Sequence, residues 1–359
     1  MKSQQFCQTL WGQAFSLPPG FCPARSCTNR TGARLLLITL IAALGLHAEV
    51  SEVRIPTGAG GVGFLPLLVM EKHQLIEKHA KEAGITNLKV RWINIGGPSV
   101  MNDALLSGSA DFITAGPPAF ITLWDRTFTS AKVKGVAAMS SMPMYLNART
   151  DRLHKLDDIT DKDKIAVTAI KVSIPSIIMQ MYAQKKYGQA THFDKYTVTM
   201  THPDAVIALL AGSSAIDAHF TSPPFAQREK RDPRVKTIML SDDVMGGSTT
   251  FTMVSTTTKF RAQNPKVYAA VLKAIDEANR MIAADKKSAA ELLLAATNDK
   301  GFSVQEIVEV LSDPHVKFTT TPENLMKYAD FMHSIGSIKN RPASWKDMFF
   351  PEIQGAPGS

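Results

Sequence analysis

Residues 111–120, Asp-Phe-Ile-Thr-Ala-Gly-Pro-Pro-Ala-Phe, decide the fold of this chain. The run from Asp111 to Thr114 predicts a short buried strand. Pro117 and Pro118 favour a helix start directly after it, because proline lacks the backbone donor that a first helical turn leaves unused. Gly116 leaves backbone amides uncovered between the two elements. A loop of this kind at the carboxyl end of a strand is where open α/β sheets bind small ligands.

Length and charge limit the classes of protein that this chain can represent. A chain of 359 residues fits about two domains. The formal charge is +8, but residues 1–48 contain four basic and no acidic residues, which leaves 36 basic against 32 acidic residues in the remainder. That excess is too small to indicate nucleic-acid binding. We therefore expect no nucleic-acid partner.

The N-terminal section is typical of an export signal. Arg30 and Arg34 precede an apolar core at residues 35–46, and Ala48 offers a small residue for cleavage. This core is too short to span a bilayer, which needs ~20 apolar residues. The alternative is a buried helix of the folded domain. We predict a signal peptide with a long N-terminal extension over residues 1–48, and a periplasmic protein.

The three cysteines, Cys7, Cys22 and Cys27, all precede the apolar core. The predicted mature chain then contains no cysteine, which excludes disulfides, thiolate catalysis and cysteine-ligated metals. It also excludes a lipid anchor on a cysteine directly after the signal.

Strand and helix patterns alternate after residue 49, which predicts a parallel sheet covered by helices. Periodicity predicts one helix from Phe64 to Ala83, and Ser99 is placed as the N-cap of the next helix. A second unit begins near residue 150. Its run at 221–225, Thr-Ser-Pro-Pro-Phe, repeats the Pro-Pro loop at 115–119. From Asn264 onward the pattern is helical, so we expect two similar lobes and a helical C-terminal part.

Residues 58–63, Gly-Ala-Gly-Gly-Val-Gly, match the spacing of a dinucleotide-binding loop. That class also needs an acidic residue at the end of the second strand, and Arg91 to Ile95 contains none. The two other interpretations are a cradle of backbone amides for an anionic oxygen at a helix N-terminus, and a tight turn alone. We expect no nucleotide cofactor.

No histidine pair has metal-ligand spacing, so we predict no metal site. His219 lies late in a predicted strand, before Thr221 and Ser222, where it could contact a ligand or be a half-buried structural histidine. Lys171 follows another predicted strand. It is either a solvated loop residue or the cation best placed for an anionic ligand.

Several segments together resemble the periplasmic solute-binding proteins of nitrate/sulfonate/taurine-type ABC importers. The resemblance covers roughly residues 50–350, and its segments are 57–59 with 64–66, 104–108 before 111–112, 156–159 before 164–167, and 217–218 before 221–224. It implies a two-lobed, type II periplasmic-binding-protein-like fold, in which two α/β lobes are joined by two crossover strands. The implied lobes are residues 49–143 with 251–359, and residues 144–250. The hinge is expected near residues 142–147 and 245–250.

The resemblance also implies a function without chemistry: capture of a sulfonate, nitrate, taurine or similar organic anion between the lobes and its delivery to a membrane permease. The protein would be a monomer and not an enzyme. The implied ligand shell is Thr57, Gly58, Ala59, Gly97, Pro98, Ser99, Ala115, Gly116, Pro117, Lys171, Val172, Ser173, His219, Thr221, Ser222, Gly247, Ser248 and Thr249. These loops contain no arginine, which weakens a bidentate clamp for an oxyanion.

Two other classes stay open at this point. A thiamine-pyrimidine-synthase-like enzyme, or a binding protein for its precursor, uses the same fold, but the predicted mature chain lacks cysteine and follows an export signal. A sensor ectodomain would need a membrane anchor after the domain, and we expect none.

Overall fold

The structure is a computed structural model that describes residues 48–58, 60–149, 152–212, 215–298 and 300–359. The predicted signal peptide apart from Ala48, the three cysteines, and Ala59 of the predicted ligand shell lie outside the described residues. The strands are β1 (Glu52–Pro56), β2 (Lys89–Ile93), β3 (Ile113–Ala115), β4 (Val133–Ser141), β5 (Tyr145–Ala148), β6 (Ile165–Val167), β7 (Thr197–Thr199), β8 (Ala218–Thr221), β9 (Lys236–Leu240), β10 (Thr250–Thr257) and β11 (Lys317–Phe318).

Helices fill the connections between these strands and most of the chain after β10. They are α1 (Leu65–Lys72), α2 (Leu75–Glu82), α3 (Pro98–Leu106), α4 (Pro117–Arg126), α5 (Ile174–Tyr187), α6 (His202–Ala211), α7 (Phe225–Glu229), α8 (Ser241–Met245), α9 (Thr258–Gln263), α10 (Pro265–Ala284), α11 (Lys286–Thr297), α12 (Val304–Ser312), α13 (Leu325–Ser334) and α14 (Trp345–Met348). Proline stands in the first turn of α3, α4, α5, α6 and α10, where its fixed φ starts a helix without losing a hydrogen bond.

The first sheet group contains β1 to β4, β10 and β11. β1 pairs with β2 in parallel, and a second sheet has the order β11-β4-β10-β3 with antiparallel neighbours. The carbonyl of Arg54 in β1 accepts hydrogen bonds from the amides of Asp111 and Phe112, which places β1 beside the start of β3. The Asp111 carboxylate also accepts from the Arg54 guanidinium at 2.8 Å, a charge-assisted contact that holds the two strands together.

The second sheet group is one sheet with the order β7-β6-β8-β5-β9. β6 is parallel to β7 and β8, whereas β5 is antiparallel to β8 and β9. The chain passes from the first sheet group to the second through residues 142–144, and returns through residues 246–249.

Three details of the sequence prediction are corrected by the structure. The sheets are not all parallel, because β10 inserts antiparallel between β3 and β4, and β5 lies antiparallel between β8 and β9. The helix predicted from Phe64 to Ala83 is two helices, because Gln74 adopts a left-handed conformation with φ 49° and breaks it. Gly97, and not Ser99, is the N-cap of α3, since Pro98 is already its first helical residue.

One large apolar core runs through both sheet groups, and two smaller clusters lie beside it. Phe120 of α4 and Phe349 illustrate its packing: their ring centroids are 5.6 Å apart and both side chains are fully buried. Gly135 in β4 permits this contact, since a Cβ there would lie 2.5 Å from the Phe349 ring. Burial of each such ring contributes roughly 1.5–3 kcal/mol, so this packing holds α4 and Phe349 against β4.

Candidate functional site

A small cavity lies where the two sheet groups meet, and both contribute to its wall. Its volume is about 60 Å³. The lining residues from the first sheet group and its loops are Phe64, Gly97, Pro98, Met101, Thr114, Ala115, Gly116, Phe251 and Thr252. Those from the second are Met144, Thr168, Val172, Ser173, Ile174, Pro175 and His202.

The loop after β3 and the start of α5 form the tightest part of this wall. Gly116 is the N-cap of α4, as the Pro-Pro motif predicts. A Cβ at Gly116 would lie 2.8 Å from Cδ1 of Ile174 and 3.2 Å from the carbonyl oxygen of Phe251. The two sheet groups therefore approach each other so closely here that glycine is the residue that fits.

Three of the four hydroxyl-bearing residues that line the cavity, Thr114, Ser173 and Thr252, make side-chain contacts within the protein, and the fourth is Thr168. The Thr252 hydroxyl donates to the Gly63 carbonyl at 2.8 Å, and the Ser173 hydroxyl donates to the Ala169 carbonyl at 2.5 Å. The Thr114 hydroxyl is 3.7 Å from the Met101 sulfur. Among the described residues that line the cavity, none is Asp, Glu, Lys or Arg. The wall is consequently apolar, and His202 is its ionisable group.

His202 is the outer member of a buried series of three hydrogen-bonded groups. Its Nδ1 lies 2.9 Å from Nε2 of His219, and Nδ1 of His219 lies 2.5 Å from Oε1 of Glu229. His219 and Glu229 are fully buried, whereas His202 reaches the cavity. Phe225 stacks on the His202 ring with centroids 5.5 Å apart and fixes its plane. We call these three residues the His-Glu relay.

The electrostatics of the relay follow from its burial. Burial raises the pKa of Glu229 to about 8, although a hydrogen bond from Asn147 opposes the shift. Burial lowers the pKa of His219 to about 3, and it lowers the pKa of His202 well below its usual value, with a further contribution from His219. All three shifts favour uncharged groups, because an ion without solvent or a counter-ion is costly in the interior.

Six residues of the predicted ligand shell line the cavity: Gly97, Pro98, Ala115, Gly116, Val172 and Ser173. Several others lie apart from it. His219 sits behind His202 with no exposed surface, and Lys171, in a left-handed conformation with φ 65°, lines a surface depression with Gln189 and His192.

The remaining shell residues do not line the cavity either. Thr57 donates to the carbonyl of Ile93, and Thr221 and Ser222 are buried with hydroxyls that have no hydrogen-bond partner among the described residues. Ser248 accepts a hydrogen bond from Lys317 on the return segment, where Gly247 and Thr249 also lie. Ser99 and Pro117 adjoin lining residues in sequence and Gly58 lies against the Phe64 ring, but none of the three is part of the wall.

Two amides at the glycine-rich loop donate hydrogen bonds within the protein. The Val62 amide donates to the Pro223 carbonyl at 3.4 Å, and the Phe64 amide donates to the Gly61 carbonyl. Gly60 and Gly61 have φ values of 84° and 82° and border a separate outer groove between α6–α7 and α11–α12. None of the described residues of the loop, 58 and 60–63, lines the small cavity.

Sequence reasoning missed His202, Phe251 and Ile174. One signal for His202 was present: Thr201-His202-Pro203-Asp204 is typical of a helix start, with a threonine cap and a proline in the first turn, and it follows β7 directly. That start lies at the same sheet edge as the predicted ligand loop 171–173. The contact between His202 and His219 bridges 17 residues, and nothing in the local pattern indicates it.

No family model matches the chain, and no curated protein matches it in sequence. Solved structures do. The alkanesulfonate-binding protein SsuA from Xanthomonas axonopodis pv. citri, bound to MOPS, is 15% identical with a TM-score of 0.64, and the match covers 84% of this chain and 98% of that one. The aliphatic sulphonate-binding protein SsuA from Escherichia coli is 16% identical with a TM-score of 0.58, covering 84% and 92%.

The periplasmic nitrate-binding protein NrtA from Synechocystis is 13% identical with a TM-score of 0.60, covering 86% of each chain. The described chain therefore has the fold of the periplasmic binding proteins, and the predicted fold class is confirmed. The predicted resemblance is also confirmed, since sulfonate- and nitrate-binding proteins of ABC importers are structural neighbours of this chain.

Two features of the described part of the chain concern membranes and metals. None of its helices is both long enough and apolar enough to span a bilayer. Within the same residues, no three histidine, cysteine or acidic side chains come together as a metal site would require.

Proposed function

We propose that this protein is the extracytoplasmic substrate-binding component of an ABC importer. In this proposal the two sheet groups are lobes that close on a small solute and present it to the permease. The protein acts as an exported monomer, binds its solute without chemistry, and meets the membrane through the permease. The observation that carries the proposal is the cavity walled by both sheet groups, because a solute held there ties its binding to their relative position.

The fold shared with sulfonate- and nitrate-binding proteins supports the same proposal. In open α/β folds, ligands bind outside the carboxyl ends of strands, and the loops after β3 and β6 both reach the cavity. We propose Gly97, Pro98, Ala115, Gly116, Val172 and Ser173 as ligand contacts, with His202 added from the structure.

The size of the cavity constrains the solute. A volume of about 60 Å³ holds a few water molecules, since one water needs roughly 10–15 Å³ of such space. Pockets for larger ligands measure about 300–1,000 Å³. A nitrate-sized solute fits the cavity as it stands, whereas an alkanesulfonate requires the two sheet groups to separate.

The chemistry of the wall constrains the solute further. A full negative charge buried without a cation or a hydrogen-bond donor is strongly unfavourable, and among the lining side chains His202 is the ionisable group that can supply such a donor. We therefore propose a solute with one hydrogen-bond-accepting head group directed at His202. Any other part of it would lie against Phe64, Met144 and Phe251.

A thermal-shift screen of the purified protein with nitrate, bicarbonate, ethanesulfonate, taurine and MOPS tests the proposal. A solute that binds only the folded state stabilises it by RT ln(1 + [L]/Kd), about 2.7 kcal/mol at 100 times Kd. We expect one class to raise Tm by several degrees and to show saturable heat in calorimetric titration.

Two variants localise the binding. Val172→Trp fills the cavity and should abolish the shift, whereas Val100→Trp makes the same exchange on the exposed face of α3, where Val100 is 56% exposed, and should keep it. Loss of binding in both variants, or in neither, would contradict the location. No shift with any of the five solutes would remove the proposed ligand class.

A further inference from the structure

Glu229, His219 and His202 connect a fully buried carboxyl group to the wall of the cavity through two imidazole rings. The proposed solute contacts use only the outermost of the three. Nothing in the packing requires an acid and two histidines at this place, and the interior would hold apolar side chains at lower cost. We therefore infer that these three residues have a role other than stabilising the fold.

The hydrogen bonds of Asn147 fix which atoms of the relay can donate. The Ala226 carbonyl can only accept, so the Asn147 atom that lies 3.2 Å from it is Nδ2, and the Asn147 Oδ1 accepts from the Thr237 hydroxyl at 2.7 Å. This Nδ2 donates to Oε2 of Glu229 at 2.9 Å. Oε2 is thus an acceptor, and any proton on the carboxyl group resides on Oε1, which faces His219.

Two arrangements of protons satisfy these contacts with neutral imidazoles. When Glu229 is protonated, Oε1–H donates to Nδ1 of His219, Nε2–H of His219 donates to Nδ1 of His202, and Nε2–H of His202 points to the cavity as a donor. When Glu229 is ionised, both imidazoles carry their proton on Nδ1, and Nε2 of His202 is an acceptor. One proton therefore reverses the polarity of every hydrogen bond in the series.

We propose that the His-Glu relay makes solute recognition proton-linked: the protonated relay offers the cavity a hydrogen-bond donor at His202, and loss of that proton converts it to an acceptor. A solute with an accepting head group, such as a sulfonate or nitrate, binds the first form and is repelled by the second. In the protonated form, the uncharged His202 ring supplies the hydrogen-bond donor for such a solute. This inference rests on the proposed function for its solute, but the state of the relay exists without one.

The surroundings of the relay support titration of the series as a unit. The other ionisable side chains on the elements packed against it are Asp204 on α6, Arg228 on α7, Tyr145 on β5 and Lys236 on β9. Asp204 accepts from the Thr201 hydroxyl, Arg228 borders the outer groove and Lys236 is exposed. None of the four contributes to the pKa shifts of Glu229, His219 or His202. The proton of the relay is consequently governed by burial and by Asn147.

The first test needs no solute. Long-range ¹H–¹⁵N correlation spectra of histidine-labelled protein report which ring nitrogen carries the proton. We expect His202 to carry it on Nε2 at pH 6 and on Nδ1 at pH 10, with a midpoint near pH 8, where burial places the pKa of Glu229. A His202 tautomer that does not change over this range, or a doubly protonated ring within it, would overturn the proposal.

The isosteric variant Glu229→Gln sharpens this test. The glutamine oxygen accepts from Asn147, and its Nε2–H donates to Nδ1 of His219, so the variant holds His202 in the donor form at every pH. The matched control Glu291→Gln makes the same exchange at a side chain that is 53% exposed. We expect a fixed Nε2–H tautomer in the first variant and wild-type behaviour in the second. A switch that survives in Glu229→Gln would overturn the relay.

Calorimetric titration with ethanesulfonate links the relay to recognition. Proton linkage predicts about a tenfold loss of affinity between pH 7 and 9 for the wild-type protein, and constant affinity for Glu229→Gln. Ethanesulfonate that binds with the same affinity at both pH values would overturn proton-linked recognition and leave the transport function intact. A tautomer switch without ethanesulfonate binding would support the relay and count against a sulfonate as the solute.

Discussion

Removing the two hydroxyl groups that hold the glycine-rich loop should cost more together than the sum of the single changes. Ser140 of β4 and Thr252 of β10 both lie within hydrogen-bond distance of the Gly63 carbonyl, at 3.0 and 2.8 Å, and their oxygens are 2.7 Å apart. All three residues are buried. This small network ties the loop to the central strands of the first sheet group.

The two hydroxyls contribute two protons to three contacts, so at most two of the contacts are hydrogen bonds at a given moment. In Ser140→Ala or Thr252→Val, the remaining hydroxyl still donates to Gly63. Each single variant therefore loses one hydrogen bond, about 1 kcal/mol of unfolding free energy. The double variant also removes every hydroxyl donor from this buried carbonyl, which adds roughly 1–3 kcal/mol. We expect a total loss of about 3–5 kcal/mol.

Urea denaturation of the wild-type protein, both single variants and the double variant gives the four unfolding free energies of a double-mutant cycle. Independent sites add to within about 0.3–0.5 kcal/mol. A double variant whose loss equals the sum of the single losses within that margin would refute the role assigned to these hydroxyls.

Two further perturbations test the packing of the loop and the buried relay. Gly63→Ala places a Cβ 2.2 Å from the Phe251 ring and should lower the unfolding free energy by about 1–3 kcal/mol. The control Gly96→Ala, whose Cβ would meet no atom within 4 Å, should change the unfolding free energy little, and equal losses for the two variants in urea denaturation would contradict this. The pKa of Glu229 is raised to about 8 in the folded state, so the unfolded chain binds fewer protons and stability falls as the pH rises toward 8. His202 and His219 stay neutral in the folded protein, so they raise the stability with pH only below the ordinary histidine pKa of ~6.5, where the unfolded chain binds their protons. Between pH 6.5 and 8 the wild-type protein should therefore lose about 2 kcal/mol more than Glu229→Gln; parallel Tm-against-pH curves for the two proteins would be the contrary result.

The sequence predicts the fold well because the fold depends on local signals in a fixed order. The Pro-Pro motif at 117–118 predicts the start of α4, and alternation or apolar runs predict the strands β1, β2, β4 and β9 near their observed positions. The antiparallel insertion of β10 is not a local property. Whether a returning strand lies parallel or antiparallel depends on how the chain crosses between the sheet groups, and no periodicity encodes that.

The candidate site is harder to predict, because it depends on contacts between distant segments. Gly116 is conspicuous in the sequence, but its neighbour across the cavity, Ile174, looks like an ordinary helix residue. His219 is singled out correctly as unusual. Its partners, His202 and Glu229, come from a helix start and a helix end that only the tertiary fold brings together.

The measurement that tests the central claim most directly is backbone amide exchange, with and without whichever screened solute raises Tm the most. If the cavity is the site and both sheet groups hold the solute, exchange should slow in residues 113–116 and 168–174 together, because a bound ligand suppresses local opening on both sides. Slower exchange on one side alone, or only along the outer groove between α6–α7 and α11–α12, would contradict the account.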